Sequence, residues 1–185
     1  MQKYLTNYLR KAIILLINKK SIKLLTQVCK VYNNLQLRGE MFMIIKQISI
    51  FIENKMGRLS AVTKILKDNN IDIRALSIAD TKDFGILRII VNNPDKACQA
   101  LKSADCTVTL TEVIAIGIKD EPGGLAEATD VLQLNSISIE YMYAFISKTD
   151  NMAYVILRVN DNEKAIEILS KNNIKLLTSD EIYNM

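Results

Sequence analysis

Two short stretches combine residue types that could hold a charged small molecule. They are Asp120-Glu-Pro-Gly-Gly-Leu125 and Asn54-Lys-Met-Gly-Arg-Leu59. Each lies between a run of alternating apolar residues and a run with helical apolar spacing. Glycine at such a junction lets backbone approach a ligand closely. The helix that starts beyond it offers unpaired N–H groups and the positive end of its dipole, which suit a carboxylate. Asp120 or Asn54, at the strand end, could take an ammonium group. The candidate binding residues are Asn54, Met56, Gly57, Arg58 and Leu59 in the first stretch, and Asp120, Pro122, Gly123, Gly124 and Leu125 in the second. The second is the stronger candidate, because it combines an anionic Asp120 with Pro122 and a glycine pair. The same residues also fit a purely structural role. Gly57, Gly123 and Pro122 suit a tight turn, and Asp120 and Asn54 suit helix caps.

Other chemistry is scarce. The chain has no histidine, which removes the commonest general base, the commonest transition-metal ligand and any Ser-His or Cys-His pair. Its three cysteines, Cys29, Cys98 and Cys106, form no C-x-x-C. That odd count points to reduced thiols in a cytoplasmic protein rather than to disulfides, with Cys98 and Cys106 as small packing residues rather than metal ligands. No catalytic residue, metal or cofactor is expected.

Charge is placed unevenly. Residues 1–40 hold eight Lys/Arg and one acid, leaving 16 basic against 19 acidic residues in the rest. The main body is therefore mildly acidic and lacks a footprint for nucleic acid. No apolar run approaches the roughly 20 residues that span a bilayer. The longest near the N-terminus, Ala12 to Ile17, is too short, and no membrane partner is expected. Three readings fit the basic extension, residues 1–42: an amphipathic arm, an extra packed helix, or translated leader DNA preceding a start at Met43. The last is favoured. Arg38-Gly-Glu40 can be encoded as a purine-rich ribosome-binding sequence, and the Lys/Asn/Ile-rich composition is what AT-rich leader DNA yields.

From residue 43 the chain repeats. Ile48 to Leu59 maps onto Ile114 to Leu125 at an offset of 66, and Leu87-Arg-Ile89 maps onto Leu157-Arg-Val159. Each copy reads strand, helix, strand, strand, helix, strand. In the first, Ile48, Ile50 and Ile52 alternate, and Leu59, Val62, Ile65 and Leu66 share a helix face. Ile71, Ile73 and Ala75 resume period two, and Thr81-Lys-Asp-Phe-Gly85 signals a turn. Ile86 to Val91 returns as a strand, Pro94 opens a second helix, and Cys106 to Glu112 closes the copy. In the second, Leu125, Ala128, Val131 and Leu132 form the matching helix face. The expected architecture is α+β: two tandem ferredoxin-like βαββαβ modules, residues 43–112 and 113–185, each an antiparallel sheet with both helices on one face. The helix-free faces need cover, so the copies should pair side by side or back to back. Tyr141, Tyr143 and Phe145, two apart on one strand, fit packing between modules, with a pocket wall as the alternative.

This fold hosts many functions. Gly85 to Val91 carries none of the stacking aromatics of an RNA-binding sheet. The first loop has no cysteine for metal transfer, and nothing completes a phosphate site around Asn54 and Arg58. What remains is the strand-to-helix loop. There the chain resembles the ACT family, whose signature reads roughly D/N-x-P-G-x-L at this junction. Asp120 to Leu125 matches in full, and Asn54 to Leu59 matches apart from Met56 in place of proline. The resemblance covers residues 43–185 and is especially close to small stand-alone proteins of two ACT modules. It implies a non-catalytic regulatory protein that binds a small ligand, an amino acid, at these loops near the module interface. It also implies a homodimer or a partner enzyme of amino-acid metabolism. The alternative is an ACT interaction module that has lost its ligand and only assembles with a partner enzyme.

Overall fold

The computed structural model describes residues 42–80, 84–146 and 151–185. The basic extension up to residue 41, with its reading as leader DNA, lies outside the described residues, as does most of the turn expected at Thr81 to Gly85.

Alternation and helical spacing become elements in the expected order. The first copy supplies β1 (Ile44–Glu53), α1 (Arg58–Asp68), β2 (Ile73–Asp80), β3 (Phe84–Val91), α2 (Pro94–Ser103) and β4 (Thr107–Lys119). The second continues with α3 (Gly124–Leu134), β5 (Ile139–Ile146), β6 (Met152–Val159), α4 (Asn162–Lys171) and β7 (Lys175–Leu177), and ends in a short helix, α5 (Ser179–Tyr183). Helix ends are set by local chemistry. Asn93 and Asp161 accept the Lys96 and Lys164 N–H groups at 3.0 Å and cap α2 and α4. Asn70, Asp105, Ser136 and Asn173 adopt left-handed φ just past their helices. Each lets the following N–H reach back five residues, as from Ile71 to the Leu66 carbonyl at 3.0 Å.

The boundary expected between residues 112 and 113 falls inside β4. Nothing from Thr107 to Ile116 is a glycine, proline or asparagine, so no turn signal interrupts the strand. One strand thus ends the first copy and begins the second. Every pairing is antiparallel, in the order β2-β3-β1-β4-β6-β5, with β7 also on β4. Thr107 to Ile114 pairs with β1, and Ala115 to Gly117 pairs with β7 along the same edge, while β6 takes the opposite edge.

Three buried layers hold this together. Ile48, Ile50, Leu87 and Ile89 pack under Val62, Leu66 and Leu101 of α1 and α2. Ile114, Ile116, Val155 and Leu157 do the same under Ala128, Leu132, Ala165 and Leu169 of α3 and α4. The third layer joins the helix-free faces of both copies: Ile45, Ala75 and Ile90 with Val113, Ala115, Tyr154, Ile156 and Leu177. The sheet curls enough to bring its two end strands, β2 and β5, into contact. Helix α5 closes this layer. Ile182 is buried within it, the Tyr183 hydroxyl accepts the Lys46 N–H at 2.9 Å, and the Tyr183 carbonyl accepts Arg74 Nε at 3.2 Å.

Tyr141, Tyr143 and Phe145 pack between the copies. Gln47, fully buried on β1, donates to the Tyr141 hydroxyl at 2.8 Å and to Ser49 Oγ at 3.1 Å, and accepts the Tyr143 hydroxyl at 2.9 Å. Arg88 lies 4.0 Å from the Tyr141 ring centre. Burial pushes the Tyr143 phenol well above its ordinary range, so it acts as a neutral donor. Gln47→Met should therefore destabilise the fold by about 1–3 kcal/mol, because the Tyr143 hydroxyl loses its acceptor. In a Tyr143→Phe background the same substitution should cost clearly less. Urea denaturation of the four proteins measures the coupling, and strict additivity would refute the pairing.

Candidate functional site

Both candidate loops are built alike. Gly57 and Gly123 precede α1 and α3 with φ of +86° and +96°. A Cβ at either would meet nothing within 4 Å, so backbone conformation rather than space requires glycine there. Behind them, Arg58 N–H bonds to the Lys55 carbonyl at 3.3 Å and Gly124 N–H to the Glu121 carbonyl at 3.1 Å. The turn expected from the structural role of these glycines is thus present in both copies. Neither α1 nor α3 has a side-chain cap, whereas α2, α4 and α5 do. The first N–H of α1 and of α3 is thus taken up by the turn itself, and the next ones have no side-chain cap to meet them.

The loops differ in what surrounds the turn. In the second, Asp120, Glu121 and Pro122 are exposed, and Asp120 N–H donates to the Asn151 carbonyl at 2.9 Å. Gly124 is tightly enclosed: a Cβ there would sit 2.3 Å from the Lys119 carbonyl oxygen. The close backbone approach at Gly124 is made by the loop itself. Leu125 is half-buried against the second core.

In the first loop Asn54 and Lys55 are exposed, Met56 is fully exposed and Leu59 is 42% exposed. Arg58 occupies the place of Gly124 and turns back to Glu53. Its Nη2 and Nε lie 2.8 and 3.2 Å from Glu53 Oε2. The Arg58 hydrogen bond, helped by Lys55 at 3.4 Å, holds the Glu53 carboxyl below the usual range, so it is anionic at neutral pH. In the second copy the corresponding strand end is Lys119, paired with Glu121 at 3.6 Å. The charge pattern is inverted.

A pocket of about 340 Å³ opens beside the first loop. Arg58, Glu53, Ile52, Ala61, Val62 and Ile65 line it, and Phe51 and Phe84, which alternate onto the helix-free face of the sheet, lie at its edge. The two phenyl rings stack with centres 5.0 Å apart. Asp105, Cys106 and Thr107 complete the wall. A wider groove of about 460 Å³ lies between α2 and β4, lined by Asp95, Cys98, Lys102 and Leu110. Of the predicted residues, only Arg58 lines either of these pockets. Glu53, Phe51 and Phe84 were not anticipated. Glu53 could have been found from its spacing to Arg58 across the turn, but Phe51 and Phe84 meet only through the β1–β3 register. Among the described residues no group of three or more His, Cys, Asp or Glu could hold a metal, and no helix is long and apolar enough to cross a membrane.

Comparison with known proteins adds the following. A family model described as an ACT domain pair matches residues 43–185. A crystal structure of protein BT0572 from Bacteroides thetaiotaomicron is 43% identical, covers 77% of this chain and 98% of its own, and superposes with a TM-score of 0.74. The ligand-free regulatory subunit of aspartate kinase from Thermus thermophilus, 17% identical, covers 69% of this chain and 92% of its own at a TM-score of 0.52. The corresponding subunit from Thermus flavus, 14% identical, covers 68% and 90% at 0.51. These two likenesses concern the fold. No curated protein matches the chain significantly.

Proposed function

The chain belongs to the ACT domain pair family, and from that premise we propose that it is a non-catalytic regulatory protein that binds a free amino acid at one or both strand-to-helix loops. The observation that carries this reading is the pair of uncapped helix N-termini behind left-handed glycines. Each is set beside side chains able to meet the other end of a zwitterion. Backbone N–H groups and the helix dipole suit the carboxylate. Asp120 in one loop, or Asn54 and Glu53 in the other, suit the ammonium. Binding would then alter a surface or an assembly read by a partner, since a ligand shifts an equilibrium only by its differential affinity for the two states.

Screening the twenty amino acids by thermal shift tests this directly. A ligand that binds only the native state raises the melting temperature by mass action. Titration calorimetry on Asn54→Ala, Arg58→Gln and Asp120→Ala then locates it. Loss of one charge-assisted hydrogen bond, about 1.5–3 kcal/mol, should weaken binding roughly tenfold to a hundredfold in at least one variant. The proposal fails when no amino acid shifts the melt, or when all three variants bind as wild type does.

A further inference from the structure

We infer that β4 carries an interface for a second copy of this chain. The free edge of β4 from Thr107 to Glu112 pairs with the same edge of the copy, and the flank of α2 beside it packs against its counterpart. The inference does not depend on the amino-acid reading above.

The edge is open because the two halves of β4 are used differently. Ala115 to Gly117 lie between β6 and β7. Thr107 to Val113 pair with β1 alone among the described residues. On the other edge, pairing with β6 stops at Ile114. The Glu112 carbonyl there accepts Arg158 Nη1 at 2.8 Å and Asn162 Nδ2 at 3.3 Å. Residues two apart in a strand direct their backbone groups to the same edge. Leu110 and Val108 therefore turn their N–H and C=O groups the same way as Glu112, where no described strand meets them. Such an edge is a template for another strand unless charge, proline or a bulge blunts it. Thr107 to Thr111 carries no charge and no proline, and its pairing with β1 runs without a bulge.

The groove of about 460 Å³ between α2 and Leu110 lies along this edge. Leu110 is 41% exposed, whereas Ile48, opposite it on β1, is fully buried. The exposed side of Leu110 is thus the free-edge side.

Two features select a second copy as the occupant. An antiparallel pairing about a two-fold axis at Thr109 sets Val108 of each copy opposite Leu110 of the other. Both residues present edge-facing backbone groups, so each such pair exchanges two hydrogen bonds, and Glu112 keeps its side-chain partners. The same axis reverses α2. Its groove flank runs from Asp95 in the first turn to Lys102 in the last, so Asp95 of one copy comes opposite Lys102 of the other, twice per dimer. Asp95 takes Lys46 at 2.9 Å, yet its side chain is 71% exposed, and a second cation can reach it.

The test is sedimentation equilibrium of the full chain over a range of concentrations, with circular dichroism and thermal melts to check each fold. Wild type should dimerise. Leu110→Lys brings two ammonium groups together near the axis and should weaken the dimer at least about tenfold. Lys102→Glu sets like charges opposite each other twice and should weaken it about tenfold. Adding Asp95→Lys to Lys102→Glu restores opposite charges and should bring the affinity back to within about threefold of wild type. Lys171→Gln on α4 serves as a control and should change nothing. A full chain that stays monomeric at about 0.1 mM overturns the inference and leaves the edge to a strand of another protein. A dimer that neither Leu110→Lys nor Lys102→Glu weakens places the interface elsewhere. A Lys102→Glu dimer that Asp95→Lys fails to restore refutes the two-fold pairing of α2.

Discussion

Gly124→Val is expected to destabilise the protein by several kcal/mol, and Gly124→Ala by about 2–4 kcal/mol, whatever happens to ligand binding. The Cβ of either residue would meet the Lys119 carbonyl oxygen at 2.3 Å and its carbon at 3.3 Å. Overpacking usually costs about 1–3 kcal/mol when side chains can shift. Here the obstacle is backbone, and it closes the turn that joins β4 to α3. The loss is a large fraction of the about 5–15 kcal/mol that holds a typical domain folded. Gly123→Ala makes the natural comparison. Its Cβ would meet nothing within 4 Å, so only the left-handed φ is penalised, about 1–2 kcal/mol. Urea denaturation should therefore order the variants as wild type, Gly123→Ala, Gly124→Ala, Gly124→Val. A Gly124→Ala protein as stable as Gly123→Ala would show that the turn relaxes freely. Loss of binding in Gly124→Val consequently says little about a ligand. In the first copy Arg58 stands at the same position with its Cβ accommodated, so that loop must hold the Glu53 carbonyl further away. Substitutions of the exposed Arg58 head group therefore probe binding with less risk to the fold.

The same contrast explains what could be read from the residues alone. The repeat and its element order rest on local periodicity. Ile48, Ile50 and Ile52 alternate, Val62 and Leu66 share a helix face, and Asn93 and Pro94 announce a helix start. Such signals act within a few residues and survive into the structure. The single β4 was hidden by counting modules: residues 107–116 carry no turn residue, and two expected strands were one. Helix α5 has its own signature in the capping box of Thr178 and Glu181, with the Thr178 N–H 2.7 Å from Glu181 Oε2, but it is too short to show periodicity. The curl of the sheet was not legible. Gln47 meets Tyr141 and Tyr143 across 94 and 96 residues, and nothing local marks that meeting. The candidate site divides in the same way. Gly57 and Gly123 were legible as turn residues, whereas the pocket depends on where β4 begins relative to β1 and on which phenylalanines the β1–β3 register brings together.

Residues 43–112 alone should fail to give a stable monomer. In the intact chain their helix-free face is covered by the second copy and by α5. Ile45, Ile90 and the polar Gln47 are all fully buried there. Without residues 113–185, two large isoleucines return to water at about 1.5–3 kcal/mol each, which together approaches the whole stability of a small domain. Gln47 loses both tyrosine partners, and β4 loses the half that anchors it to β6 and β7. The Thr107 to Glu112 segment is rich in β-branched residues and carries one charge, which makes it prone to edge-to-edge pairing. Aggregation or self-association is the expected result, read by light scattering coupled to gel filtration, with residues 43–185 as the reference. Exposure of the helix-free face can be separated from loss of the strand. Ile45→Thr with Ile90→Thr should reduce self-association of the fragment if the apolar face causes it. The same pair should destabilise residues 43–185, where those side chains are enclosed. A well-folded monomer of unmodified residues 43–112 would show that the first copy stabilises itself, and that the layer shared by Ile45, Ala115 and Ile156 joins two independent domains rather than completing one.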